Sequence, residues 1–211
     1  MTFAYTKAVF TELVSERLVV RRFQDSDLAA FLAYRNDPAI SRYQNWAALS
    51  APRAQAILQE QRHLEPGGPG PWFQFALALK ATGQLVGDCG LQVLLQDARQ
   101  AQVTLSLALA YQGDGLATEA LTTVLDYAFI NLDLHRVLAV MDTENVGPVR
   151  LCERVGMRRE GHFVKNVWFK GRWADEYLFA LLQAEWLSRR GLPRMFIASP
   201  QPTTHDLPPA G

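Results

Sequence analysis

Residues 111–117 read Tyr-Gln-Gly-Asp-Gly-Leu-Ala, and Thr118-Glu119-Ala120-Leu121 follow directly. Gly113 and Gly115 can take positive φ, which turns the chain sharply and lets a ligand approach the main chain. Where a helix starts beyond such a turn, the N–H groups of its first turn have no intrahelical partner and carry the positive end of the helix dipole. Gln112, Gly113, Asp114, Gly115, Leu116 and Ala117 are therefore candidates to hold an anion, most naturally a phosphate or pyrophosphate. On spacing alone, a turn that merely ends one element and begins another is an equal alternative.

The elements around the turn fit the first reading. Upstream, Gln102–Leu107 has strand character, and downstream Ala117, Ala120, Leu121, Val124, Leu125, Ala128 and Phe129 recur at helical spacing. Earlier in the chain, Arg17–Phe23 alternates as a strand. Asp25 or Ser26 is expected to cap a helix through Leu28, Phe31, Leu32 and Tyr34, ending before an Asp37-Pro38 break. Ser50-Ala51-Pro52 opens a second helix through Ala56, Ile57 and Leu58. The Gly- and Pro-rich stretch 65–71 reads as a loop. Strands are expected over Trp72–Leu79 and Gln84–Leu94, joined at Ala81-Thr82-Gly83, and over Arg136–Met141. A short helix covers Pro148–Val155, and a final strand pair, Met157–Phe169 and Ala174–Leu182, turns at Lys170-Gly171-Arg172.

Composition bounds the function classes. The 211 residues are 49% hydrophobic and 20% charged, an ordinary globular balance that favours one domain. Lys plus Arg and Asp plus Glu are 21 each, which gives no general reason to bind nucleic acid or an anionic membrane. The N-terminus lacks the features of a secretory signal, and no apolar run approaches the roughly 20 residues that span a bilayer. Two cysteines, Cys89 and Cys152, make neither a disulfide framework nor a structural zinc site. The expectation is a soluble cytoplasmic protein without metal, monomeric or homodimeric. The organisation expected is an extension over 1–13, a domain over 14–187 and a Pro-rich, disordered tail over 188–211.

Taken in order, several motifs resemble the GCN5-related N-acetyltransferase (GNAT) superfamily, in its RimJ/RimL-like branch. The matching residues are Glu16-Arg17-Leu18 with Arg21, Asn36-Asp37-Pro38, Val86-Gly87, Tyr111–Ala120, His135-Arg136-Val137, Asn145, Glu153–Met157 with Glu160-Gly161, and Trp173-Ala174-Asp175. The resemblance implies an α/β (α+β) fold, a single domain whose central, mostly antiparallel, splayed mixed sheet is flanked by helices. It implies an acetyl-CoA co-substrate, with pyrophosphate on Gln112–Ala117 and pantetheine along the opened strand edge at Leu105, Ser106 and Leu107. Asn145 matches a pantetheine-contacting asparagine, although a cap before Pro148 is the local alternative. The activity implied is acetyl transfer directly onto a primary amine: a protein N-terminus, an amino-acid-like metabolite or an antibiotic. The rival reading is a non-catalytic acyl-CoA-binding or sensing module. P-loop and Rossmann spacings are both absent.

The chain departs from the family where catalysis would be read. Gln102 replaces a glutamate that can act as base, and Thr104-Leu105 stands where Gly-Tyr is common. Pro148 replaces a serine, and Cys152 a tyrosine, each a proton donor in some branches. Cys152, a thiol of reference pKa about 8.5, is the candidate donor to the departing thiolate, set against a packing role on its helix. Asp88 borders the acceptor cleft in this fold and is a candidate to orient an ammonium group or act through water. Alternation also allows a solvent-facing structural aspartate. Asp175 and His135 read as structural, and His162 begins an exposed stretch. Tyr43, Trp46 and Trp72 are candidate acceptor-binding aromatics. No acidic run marks a pocket for a polycation.

Overall fold

Eight stretches rich in Val, Leu, Phe and Ala form the strands of the computed structural model, which describes residues 10–43 and 48–192. They are β1 (Glu12–Val14), β2 (Leu18–Arg21), β3 (Phe73–Leu79), β4 (Leu85–Val93), β5 (Gln100–Leu107), β6 (Arg136–Asp142), β7 (Arg158–Phe169) and β8 (Arg172–Leu182). All join one sheet in the order β1-β2-β3-β4-β5-β6-β8-β7. Every neighbouring pair is antiparallel except β5 and β6, which run parallel. The parallel step needs a crossover, and α4 (Leu116–Asp126) supplies it, its last turn widening to π geometry over Tyr127–Asn131.

Helices cover both faces. On one, α4 buries Leu116, Ala120, Leu121, Val124 and Leu125 against Phe75, Leu77, Cys89, Leu91 and Val103. The helix α5 (Val146–Val155) adds Leu151, Cys152 and Val155 to that core. Phe75 is fully buried there, which contributes about 1.5–3 kcal/mol. On the other face, α1 (Leu28–Arg35) and α3 (Ala51–Arg62) pack Phe31, Tyr34, Ala54 and Leu58 over Ala76 and Leu85. The packed elements extend beyond 14–187 at both ends. Phe10 is buried in edge-to-face contact with Phe73 and Phe75, and α6 (Gln183–Arg189) passes residue 187. The tail from Pro193 lies outside the described residues.

Two local expectations are corrected. Neither Asp25 nor Ser26 caps α1, because both lie in a 3-10 turn, Asp25–Asp27, that begins after Gln24. The register is set by Asp27, whose carboxylate accepts from Gln24 N–H at 2.7 Å and pairs with Arg21 at 2.7 and 3.0 Å. The Asp37-Pro38 break instead opens a short helix, α2 (Pro38–Ser41), where Asp37 Oδ1 accepts from Ala39 N–H at 2.9 Å. The helix α3 opens at Ser50-Ala51-Pro52 as expected, with Ser50 Oγ accepting from Arg53 N–H at 3.4 Å.

Close packing of β4 on β5 requires Gly87. A Cβ there would lie 2.2 Å from Ser106 O and 2.9 Å from Leu107 Cα, both backbone atoms that cannot swing aside. We expect Gly87→Ala to destabilise the fold by about 1–3 kcal/mol, read from the urea midpoint at unchanged slope. An unchanged midpoint would contradict the close approach.

Candidate active site

The parallel pairing of β5 with β6 covers only Gln100↔Arg136, Ala101↔Val137 and Gln102↔Leu138. Beyond this point β5 stays registered on β4 as far as Leu107↔Gly87, while β6 follows β8 as far as Asp142↔Glu176. The two strands therefore diverge. Ala108 N–H donates to Val86 O at 2.8 Å, so even-numbered β5 residues bond to β4 and odd-numbered ones face the gap. Val103, Leu105 and Leu107 thus turn N–H and C=O groups toward the opening. Gln112 Nε2 donates to Leu107 O at 2.9 Å and satisfies one of them.

A cavity of about 500 Å³ fills the gap. It brings together Leu105, Ser106, Leu107, Gln112, Gly113, Gly115, Ala117, Asn145, Cys152 and Tyr43 from the sequence-derived set. Asp114 and Leu116 belong to the turn but not to its lining: Asp114 is exposed and Leu116 is buried in the core. Trp72 immediately precedes β3 and does not line the cavity, its carbonyl accepting from Gln61 Nε2 at 3.1 Å. Trp46 lies outside the described residues. A more open groove of about 970 Å³ runs along the outside of α4 and shares Gly113, Gly115 and Arg154 with this cavity.

The glycine turn takes the form its residues demand. Gly113 has φ 94° and Gly115 φ 82°, and Gly115 is the N-cap of α4 with no side-chain cap. A Cβ at Gly113 would meet nothing within 4 Å, so the left-handed backbone, not space, requires glycine there. The first-turn N–H groups of α4 face an uncapped end, the electrostatic setting for an anion.

A clamp that sequence reasoning missed holds this turn. Glu119, in the first turn of α4, accepts from Ser15 Oγ at 2.7 Å, Arg17 N–H at 2.6 Å and Arg17 Nε at 2.7 Å. Arg17 Nη1 in turn donates to the Asp114 carbonyl at 2.8 Å. Arg17 and Glu119 stood in the quoted motifs, but only the fold shows that they meet. Burial pushes the Glu119 carboxyl up, yet the bonds from Arg17 and Ser15 outweigh this and hold it below its ordinary value. Arg150 and Arg154 also line the cavity, and Arg154 Nη1 donates to Thr118 Oγ1 at 3.1 Å. Their i, i+4 spacing on α5 was the available signal. Asp142, another lining residue not singled out, pairs with Arg172 at 2.8 Å and accepts from Glu144 N–H at 2.8 Å. At a strand end it reads as an ordinary turn residue.

The titratable candidates separate. Cys152 touches the cavity but is only 3% exposed and belongs to the α4–α5 core. Burial, and secondarily the Glu153 charge, pushes its thiol up to about 12, which makes it a poor acid. Asp88 is not solvent-facing and does not line the cavity. It is 3% exposed beneath α1, accepting from Tyr34 OH at 2.7 Å and Arg35 Nη2 at 2.6 Å. Alternation gave its face, but α1 covers that face. Asp175 is held by Lys165 N–H and His162 Nε2, each at 2.9 Å, within the β7–β8 pair. His135 immediately precedes β6, donating its backbone N–H to Arg99 O at 2.8 Å. Among the described residues, no group of three or more His, Cys, Asp or Glu gathers as a metal site would require.

Residues 17–158, more than half of the chain, match the acetyltransferase (GNAT) domain family. The chain belongs to this family. It is an acetyltransferase, so the reading as a non-catalytic binding module gives way. GNAT enzymes use acetyl-CoA, and the opened β5 edge, the uncapped α4 terminus and the nearby arginines fit that ligand. The uncharacterized N-acetyltransferase p20 of Bacillus licheniformis is 29% identical, covering 82% of this chain and 97% of its own. A GNAT acetyltransferase structure from Bacillus anthracis aligns with TM-score 0.74 at 27% identity, over 83% of this chain and 100% of that one. The spermidine N-acetyltransferase of Vibrio cholerae, solved with CoA and spermine, aligns with TM-score 0.71 at 25% identity, over 82% of this chain and 99% of that one.

Because its folded-state value is depressed, Glu119 stabilises the fold fully above its ordinary value of 4.5, and that contribution is lost as pH falls through the lower folded-state value. Urea unfolding should therefore show Glu119→Gln less stable than the parent by a constant margin near pH 7, narrowing below about pH 4.5. A margin independent of pH would remove the charge from the clamp.

Proposed function

We propose that this GNAT acetyltransferase transfers an acetyl group directly from acetyl-CoA to a primary amine, as a member of the RimJ/RimL-like branch. The observation that carries this reading is the divergence of β5 from β6 directly before an uncapped, glycine-bearing helix start. In this reading the free backbone groups of Leu105 and its neighbours pair with the amides of the pantetheine arm, a form of strand addition. The N–H groups from Gly113 to Ala117 hold the pyrophosphate, Arg150 and Arg154 add positive charge, and Asn145 contacts the arm. When bound, acetyl-CoA supplies a thioester carbonyl for the amine to attack.

The residues of this chain position the reactants. Thr104 and Ser106 point from β5 away from the α4 core, toward the side that carries α2 and Tyr43, and we assign the amine to that side. Holding an amine beside the thioester can lower the barrier by about 7 to 11 kcal/mol at best, so transfer does not demand an acid side chain in every role. Cys152 acts in this account as a packing residue. Among the described residues Asp142 is the one carboxylate lining the cavity, and it is already paired with Arg172. That favours a monoamine or a peptide N-terminus over a polyamine, despite the spermine-bound neighbour. We further infer a cytoplasmic, metal-free enzyme, monomeric or homodimeric. No described helix is long and apolar enough to cross a membrane.

Initial velocities with acetyl-CoA and each member of a panel of peptides, amino acids, aminoglycosides and spermine test the reading. Intersecting double-reciprocal lines, with monoamines or peptides preferred over spermine, are expected. Parallel lines would require an acetyl-enzyme and contradict direct transfer. Cys152→Ala should keep turnover within about threefold with an unchanged pH profile. A folded, acetyl-CoA-binding variant that loses turnover more than about a hundredfold would restore Cys152 as the donor.

A further inference from the structure

The buried ion pair beneath α1 does no evident work in the cofactor cleft, yet it stands at the root of the acceptor-side wall. Asp88, at the centre of the sheet on β4, receives both Tyr34 OH and Arg35 Nη2 from the last turn of α1. The side chains of Asp88 and Arg35 are 4% and 12% exposed, and the Arg35 guanidinium also lies over the Phe31 ring at 5.0 Å. Asn36, the next residue, makes a reciprocal pair with Leu49: its Nδ2 donates to Leu49 O at 2.9 Å, and Leu49 N–H donates to its Oδ1 at 2.7 Å. The chain between these two residues is thereby closed at its base.

That closed segment carries α2. Asp37 caps it, and Ala39, Ile40 and Tyr43 line the cavity. From the opposite side Lys170, in the β7–β8 turn, donates Nζ to Ser41 O at 2.5 Å. The wall is therefore held at two points, Ile40 packs in one cluster with Ala76 and Leu85 of the sheet, and the polar tie from α1 to the sheet centre is made at Asp88.

We propose that Asp88 is a positioning residue: through Tyr34, Arg35 and the Asn36–Leu49 pair it sets where Ala39, Ile40 and Tyr43 stand and so tunes selection of the acceptor amine. The proposal rests on the reading that the α2 side receives the amine. It explains why an ionised group is kept under α1 although burial of an ion pair is seldom a source of stability by itself. It also takes Asp88 out of the proton chemistry, since both oxygens are committed to structural donors.

Hydrogen exchange on the ligand-free protein decides the positioning claim without knowledge of the amine. In Asp88→Asn, amides of residues 37–43 should exchange at least about tenfold faster, with α4 amides unchanged. Tyr34→Phe, which keeps the ion pair, should give the same pattern in smaller size, and it serves if Asp88→Asn does not fold. Exchange in 37–43 that matches the parent in both variants, or in Tyr34→Phe alone where Asp88→Asn does not fold, would overturn the proposal. So would acceleration spread evenly through α4. With the preferred amine of the panel, KM should rise about tenfold while kcat and acetyl-CoA affinity stay within about threefold. A fall in kcat at constant KM would make Asp88 part of the chemistry. If the parent shows no CoA-dependent protection over 112–117, the cleft reading fails separately, and the ligand-free exchange still tests the wall.

Discussion

Parallel pairing between β5 and β6 ends at Gln102 and Leu138, and the rest of the site depends on that termination. Neither strand is left alone beyond it, because β4 holds β5 and β8 holds β6 along their remaining lengths. The sheet therefore opens without losing the outer ladders, at the expense of two inner edges. Open edges inside a protein are unusual, since unpaired N–H and C=O groups invite another strand. Here the edges face a cavity of about 500 Å³, and in the proposed function its occupant is an amide-bearing arm instead of another chain.

Two anchors frame the opening. At the far end of β5, Glu119 ties the start of α4 to Arg17, and Arg17 holds the Asp114 carbonyl. The glycine turn is thus fixed by a carboxylate three residues inside the helix and a guanidinium from the β1–β2 turn, not by a capping side chain. On the other face, Asp88 ties the last turn of α1 to the sheet, and α1 leads into the short helix α2, the wall of the acceptor side in our proposal. Both anchors are ionic and hydrogen-bonded. In the proposed account both act on backbone position, which is what a transfer by alignment requires. The contrast with Cys152 is physical: its burial serves the α4–α5 core and at the same time weakens it as an acid.

Much of this was legible in the chain. Alternation located β2 to β8 to within a residue or two, as with β3 and β4 on either side of Ala81-Thr82-Gly83, and helical spacing located α4 and α5; the three-residue β1 was not anticipated. The glycine turn could be read because positive φ at Gly113 and Gly115 is a local property. What could not be read depends on distant partners. Asp88 lies on the face that alternation assigns, but whether that face is wet depends on a helix more than fifty residues earlier. The capping register before α1 was missed because Asp27 answers to Arg21 as well as to its own helix. Phe10 gave no periodic signal, yet three aromatic rings surround it. Asp142 and the arginines of α5 were not singled out in the sequence, because only the opened sheet places them on the cavity.

The most direct test of the account is a crystal structure of this protein with CoA. The account predicts pantetheine amides hydrogen-bonded to the β5 edge around Leu105, pyrophosphate oxygens on the N–H groups from Gly113 to Ala117, and β6 still parted from β5 beyond Leu138. A ligand seated elsewhere, or strands zipped together across the gap, would contradict it.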